Sequence, residues 1–148
     1  MSIAKPLPHD AAALHVNGSA RYVDDIPTPH GTLHLAFGTS PIAAGTLNSM
    51  NLETVRAAEG VIAVLTADDL EFDSDVSPSA HDEPLLAEKT VAYVGQPTFL
   101  VIANSHTAAR KAARLAQFNI TEGTPIFTIE EALTANSRFE DGPRIYSK

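Results

Sequence analysis

Two strand–helix–strand patterns constrain the fold of this chain more than any other feature. The first covers residues 45–65, where Gly60 would end a short helix between two strands. The second covers residues 98–121, where Asn104 or Ser105 would cap the helix. A helix between strands packs on the face of a sheet, so we expect an α/β (α+β) domain with a mixed β-sheet. Each strand–helix–strand crossover would be right-handed if its two strands are parallel neighbours.

The apolar spacing predicts which faces of the strands are buried. Leu33, Leu35 and Phe37 alternate with other residues, which places the three side chains on one face of a strand. Residues 61–65 are almost continuously apolar, which predicts a strand that is buried on both faces. Another short strand is predicted at residues 21–23. These elements indicate one folded domain.

The predicted domain occupies most of the chain. Two prolines near the N-terminus indicate an extended lead over residues 1–12. The folded domain is predicted over residues 13–135. Residues 136–148 contain no clear element and are interpreted as the start of a linker.

Composition excludes several classes of function. The net charge of −8 argues against nucleic-acid binding, which depends on basic contacts to phosphate. The chain has no cysteine, which excludes disulfides, thiolate metal sites and a cysteine nucleophile. No apolar run approaches the length of a membrane helix, and the N-terminal residues lack the apolar region of a secretory signal. These features fit a cytoplasmic protein.

No convincing metal or catalytic motif is present. His30 and His34 are four residues apart, but a turn and a strand separate them, so they do not share a helical face. Acidic residues alternate between Asp69 and Asp75 like calcium ligands, but Ser74 stands where an EF-hand requires glycine. The sequence therefore predicts no catalytic, cofactor-binding or metal-binding residue in this chain.

A polar turn interrupts one predicted strand at residues 93–97. Gly95 can adopt positive φ, and Pro97 fixes its own φ, so the segment can bend a strand. Gln96 offers both a donor and acceptors. The favoured interpretation is that Gln96 bonds nearby backbone and fixes the turn. The alternative is that Gln96 contacts a ligand or another domain.

Three ordered stretches together resemble one protein family. They are HVNGSARYVDDIP, AAEGVIAVLTADDL and the long segment from DEPLLAEKTVAYVGQP to FTIEEAL. In this order and spacing they resemble the molybdenum-containing large chains of xanthine dehydrogenases and aldehyde oxidases, over about residues 9–140. Within that family, the segment that starts at PHDAAALHVNG is most similar to the bacterial xanthine dehydrogenase large subunit.

The resemblance implies an α/β-hammerhead fold, found in that family as the N-terminal domain of the molybdopterin-binding subunit. It also implies that the molybdopterin-binding domains lie downstream in the same chain, and that an iron–sulfur/FAD subunit or region carries [2Fe–2S] clusters and FAD. The full enzyme would oxidise hypoxanthine and xanthine to urate and pass electrons to NAD. The 148-residue chain alone would be inactive and would serve structure and assembly.

The resemblance also suggests where the domain meets its partners. Tyr22, Asp24, Asp25, Gly95 and Gln96 lie in polar, turn-rich segments and are predicted interdomain contacts. An apolar surface facing the rest of the enzyme would be exposed in the isolated chain, which could then self-associate. Two alternatives stay open: the same domain of an aldehyde oxidase or another molybdenum hydroxylase, and a standalone interaction module.

Overall fold

The computed structural model describes residue 4 and residues 6–72, 74–78 and 82–137. It contains two compact units, residues 1–32 and residues 33–148. The predicted boundaries after residues 12 and 135 stay predictions. Most of the predicted linker, residues 138–148, lies outside the described part of the chain.

The first unit contains little regular structure. Helix α1 spans Ala12–Val16, and a 3-10 turn spans Val23–Asp25. The Tyr22 backbone N–H donates to Asp25 Oδ2 at 2.9 Å, which closes the turn. The predicted strand at residues 21–23 is therefore wrong, because a carboxylate three residues later caps a helical turn instead. No described residue of this unit is buried.

The second unit is built from two three-stranded sheets. The first sheet has the order β1-β5-β3, and the second has the order β4-β2-β6. The strands are β1 His34–Thr39, β2 Gly45–Asn51, β3 Val61–Thr66, β4 Thr90–Val91, β5 Pro97–Ala103 and β6 Gln117–Glu122. The helices are α2 Glu53–Arg56, α3 His106–Ala113 and α4 Ile129–Thr134, and a 3-10 turn spans Ala67–Asp69.

The α/β class is confirmed, but the strands pair differently from the single mixed sheet that the sequence predicted. Every strand pair in the described part of the chain is antiparallel. Helix α2 leads from β2 in the second sheet to β3 in the first, and α3 leads from β5 in the first sheet to β6 in the second. Each helix therefore connects two sheets. The condition for a parallel crossover within one sheet is not met.

The main core lies between the first sheet and helices α2 and α3. Phe99, Val101 and Ala103 point inward from the central strand β5 and are fully buried. Ala109 and Ala112 of α3 pack against this face, and their small side chains let the helix lie close to the sheet. The predicted inner face of this helix was Ala108, Ala112 and Leu115. The structure instead buries Ala109 and leaves Leu115 exposed.

Gly38 on β1 makes the closest internal approach. An ideal Cβ built at Gly38 would lie 2.0 Å from two atoms of the Phe99 ring. Ordinary contact between carbon atoms needs roughly 3.5–4.0 Å. Only glycine therefore fits beside this ring, which occupies the space a side chain would need.

Local caps form where the sequence predicts them: Ser105 is a predicted cap, and Thr66 and Thr128 each precede an acidic residue by three positions, which predicts a capping box. Ser105 Oγ accepts from the Ala108 backbone N–H at 3.2 Å and begins α3. Thr128 and Glu131 form the capping box that begins α4. In the 3-10 turn at Ala67–Asp69, the Thr66 backbone N–H and hydroxyl both donate to Asp69 Oδ2, at 2.7 and 2.8 Å. The sequence also predicts Asn51 as the N-cap of α2, but the helix begins one residue later and its N-cap is Leu52. The Asn51 side chain still accepts from the Glu53 N–H, at 3.1 Å.

Candidate contact surfaces

The turn at residues 93–97 is fixed from within the chain. The Ala92 backbone N–H donates to Gln96 Oε1 at 2.7 Å, and Gln96 is only 5% exposed. The Gln96 carbonyl accepts from the Ser40 N–H at 2.8 Å, and the Gly95 N–H donates to the Ser40 carbonyl at 2.9 Å. Gly95 has φ +90°, which only glycine adopts without strain. The interpretation that Gln96 bonds nearby backbone is confirmed.

The predicted interdomain contacts are divided between the two units of the structure. Gly95 and Gln96 belong to the second unit, whereas Tyr22, Asp24 and Asp25 belong to the first. Asp25 caps its own turn, and the Tyr22 hydroxyl lies 3.2 Å from His15 Nδ1. Tyr22 and Asp24 are exposed. The interdomain role of these residues stays a prediction.

The first sheet presents an apolar face to solvent. Leu35 pairs with Ile102 and Phe37 with Leu100 across β1 and β5. The outer apolar face, as we define it, is Leu35, Phe37, Ala63, Leu65, Leu100 and Ile102, the last four being half-buried. Leu35 is 54% exposed and Phe37 is 46% exposed. The alternation predicted for β1 is correct, but its apolar side chains face away from the core.

Strand β3 is not buried on both faces, contrary to the sequence prediction. Val64 is its only buried residue. Ile62 is 62% exposed and lies at an irregularity in the pairing with β5. A continuous apolar run shows that both faces avoid charge, but it cannot show whether the same chain covers both faces.

The second sheet provides an internal contrast. Leu47, Met50, Phe118 and Ile120 lie on its inner side. Its outer side is polar, and Asn48 Nδ2 donates to Thr121 Oγ1 at 2.9 Å across β2 and β6. Where this chain exposes the face of the second sheet, it therefore uses polar side chains, as a solvated antiparallel sheet usually does.

The carboxylates with shifted pKa values cap helical turns. Hydrogen bonds from the Thr66 backbone N–H and hydroxyl hold the pKa of Asp69 below its usual range. The backbone N–H groups of Phe127 and Thr128 lower the pKa of Glu131 in the same way. Both carboxylates are exposed, so these shifts reflect local capping and do not mark an acid–base pair.

The described residues contain neither a metal-binding cluster nor a membrane-spanning helix. Within them, no group of three or more His, Cys, Asp or Glu side chains could hold a metal ion. His34 and His106 have ring centroids 6.4 Å apart, with no third ligand. No helix among the described residues has the length and apolarity required to cross a bilayer.

Several glycines are packed closely against other parts of the chain. A Cβ at Gly45 would lie 2.5 Å from the Thr121 carbonyl oxygen, and one at Gly60 would lie 2.6 Å from Asn104 Oδ1. The chain's own atoms therefore occupy the space beside these glycines, as they do beside Gly38. Gly95 faces open space, but its conformation serves the turn. Gly38, Gly45 and Gly60 therefore do not provide the open backbone that a phosphate-binding loop of a molybdopterin site requires.

Comparisons with known proteins give a consistent result. Residues 17–122 match a family model described as "Aldehyde oxidase and xanthine dehydrogenase, a/b hammerhead domain". The chain is 32% identical to "Xanthine dehydrogenase" of Oryza sativa subsp. japonica over 99% of its length. It is 35% identical to "Probable aldehyde oxidase 1" of the same organism, also over 99% of its length.

The relatives are much longer than this chain. It covers 11% of each of the two rice proteins, so it spans about a tenth of the curated relatives it matches. Among solved structures, quinoline 2-oxidoreductase from Pseudomonas putida 86 superposes with a TM-score of 0.78 at 28% identity. That match covers 95% of this chain and 19% of the other.

Proposed function

Because the chain belongs to the aldehyde oxidase and xanthine dehydrogenase family, in which it matches the α/β-hammerhead domain, we propose that it is a noncatalytic assembly domain of a molybdenum hydroxylase. The family and the α/β-hammerhead fold predicted from the sequence are thereby confirmed. The observation that carries the proposal is the ratio of lengths. The relatives match almost the whole chain, yet the chain spans about a tenth of them.

The proposed enzyme is of the xanthine dehydrogenase type and cytoplasmic. It would oxidise hypoxanthine and xanthine to urate at molybdopterin, and pass electrons through [2Fe–2S] clusters and FAD to NAD. The relatives named xanthine dehydrogenase support this choice. An aldehyde oxidase is the alternative, because the relative with that name is as similar to the chain. We also propose that the longer polypeptide is a large subunit of the bacterial type, as the resemblance of the N-terminal segment suggests.

The structure of the domain supports an assembly role. Its perturbed carboxylates, Asp69 and Glu131, cap helical turns, and Gln96 is used by its own turn. Its glycines at positions 38, 45 and 60 meet the chain's own atoms. These groups hold the fold, so the chemistry would come from downstream molybdopterin-binding domains and from the iron–sulfur/FAD subunit.

Complementation tests the proposal. The long polypeptide would be expressed whole, without this domain, and without it but together with the 148-residue chain. We expect loss of bound molybdenum and of purine oxidation in the second sample, and recovery of both in the third. The 148-residue chain alone should oxidise neither xanthine nor an aldehyde.

Two results would contradict the proposal. One is substrate turnover by the 148-residue chain alone. The other is full assembly and activity of the long polypeptide without the domain. A reading frame that encodes no molybdopterin-binding segments would instead favour a standalone interaction module.

A further inference from the structure

We propose that the outer apolar face is a permanent docking surface for an apolar part of the longer polypeptide to which the domain belongs. This inference rests on the proposed function and adds which surface makes the contact. It differs from the polar turns predicted from the sequence, because it places the contact on the flat side of the first sheet.

The composition of the three strands indicates permanent cover. None of β1, β5 and β3 contains Asp, Glu, Lys or Arg. Depletion of charge is typical of interface centres, and obligate interfaces are more apolar than transient ones. The second sheet shows that the chain has polar side chains available, because Asn48 and Thr121 bond to each other on its exposed face. Of the two sheets, the first therefore presents an apolar face where the second presents a polar one.

The backbone of the outer apolar face is already ordered before a partner binds. Its side chains alternate along β5 with Phe99 and Val101, which are fully buried on the opposite side of the same strand. The register of β1 against β5 fixes the backbone at Leu35 and Phe37. A backbone fixed in this way has little conformational entropy left to lose when a partner packs on it.

The same polypeptide is a better occupant than a second copy of the domain. The chain spans about a tenth of its relatives, so a tethered partner surface has ample length to come from. A tethered segment has an effective concentration on the order of millimolar, far above that of a free second copy in solution. The covalently linked surface would therefore occupy the face first.

Cysteine labelling can test this directly, because the chain has no cysteine of its own. Leu35→Cys places a thiol on the outer apolar face, and Asn48→Cys places one on the exposed polar face of the second sheet. Each variant is made in the long polypeptide and in the 148-residue chain. Thiol labelling is read by mass spectrometry of the peptide that contains the new cysteine.

In the long polypeptide we expect the Leu35→Cys thiol to label about tenfold more slowly than the Asn48→Cys thiol, because it reacts only when the docked surface opens. In the 148-residue chain both thiols should label at similar rates. Equal rates in the long polypeptide would overturn the inference. Slow labelling at Leu35→Cys in the 148-residue chain that becomes slower with concentration would also overturn it, in favour of a second copy.

The complementation assay separates this inference from the proposed function. If the domain restores assembly but the Leu35→Cys thiol labels freely in the restored complex, the assembly role stands and the choice of surface is wrong. If the long polypeptide assembles fully and is active without the domain, the proposed function itself fails.

Discussion

Gly38→Ala tests the packing of the main core. The added Cβ would lie 2.0 Å from the Phe99 ring, well over an ångström inside ordinary contact distance. Phe99 is fully buried at the centre of the first sheet, so its ring cannot move without disturbing the core around it. Overpacking of this kind costs about 1–3 kcal/mol of unfolding free energy.

Gly123→Ala is the matched control. A Cβ at Gly123 would meet its nearest atom, in Ala44, at 3.6 Å, which is ordinary contact. That glycine has no positive φ, so alanine should stabilise the fold by up to about 1 kcal/mol by restricting the unfolded chain. The two substitutions add the same methyl group, yet we expect them to change stability in opposite directions.

Equilibrium denaturation of both variants measures these changes, and a double-mutant cycle identifies their cause. Phe99→Leu removes ring atoms that the new Cβ would strike. Combining it with Gly38→Ala should cost less than the sum of the single changes by about 0.5–3 kcal/mol. If Gly38→Ala is as well tolerated as Gly123→Ala, or if the two costs simply add, the packing argument is wrong.

Three further predictions concern the turn and the caps. Gln96→Ala leaves the Ala92 N–H without its acceptor and should lower the free energy of unfolding by about 1–3 kcal/mol in a denaturation curve. If stability is unchanged, the turn does not depend on this bond. If Gln96→Ala leaves the kinetics and assembly of the long polypeptide unchanged, the interdomain role predicted for Gln96 is wrong. The pKa of Glu131 is below its ordinary value of 4.5, so the stabilisation of α4 by this carboxylate is present above that pH and is lost as the pH falls through the lowered pKa. The free energy of unfolding, measured against pH, should therefore fall more steeply at acid pH in the wild type than in Glu131→Gln. Parallel curves would contradict this prediction. Ser105→Ala removes the cap of α3 and should lower the free energy of unfolding by about 1 kcal/mol. Ser105→Asp keeps an acceptor at this position and should retain most of the stability. Equal losses in the two variants would count against capping.

The predictions that succeeded depend on neighbouring residues. The capping box of Thr128 and Glu131 forms within four positions, so the sequence contains all its partners. The bond that Gln96 makes to Ala92 is local in the same sense. The bond from the Tyr22 N–H to Asp25 is equally local, but Arg21 to Val23 also fits a short strand, so the sequence does not distinguish the two.

The predictions that failed depend on distant parts of the chain. Whether β3 pairs parallel or antiparallel is decided by β5, which lies more than thirty positions later, and no residue in β3 records that choice. Whether the second face of an apolar strand is covered depends on what packs there. The sequence of residues 61–65 avoids charge on both sides for two different reasons, the core on one side and the exposed outer apolar face on the other.

The late position of β5 has a consequence for synthesis. Among the described residues, the edge strands β1 and β3 of the first sheet pair only with β5, so their pairing is not complete until Ala103 has left the ribosome. The second sheet waits longer, because β2 pairs with β6 near Glu122. Non-local pairing of this kind slows folding. During translation the nascent chain therefore carries unpaired apolar strands for most of its length, and we expect general chaperones to bind it until β5 and β6 emerge.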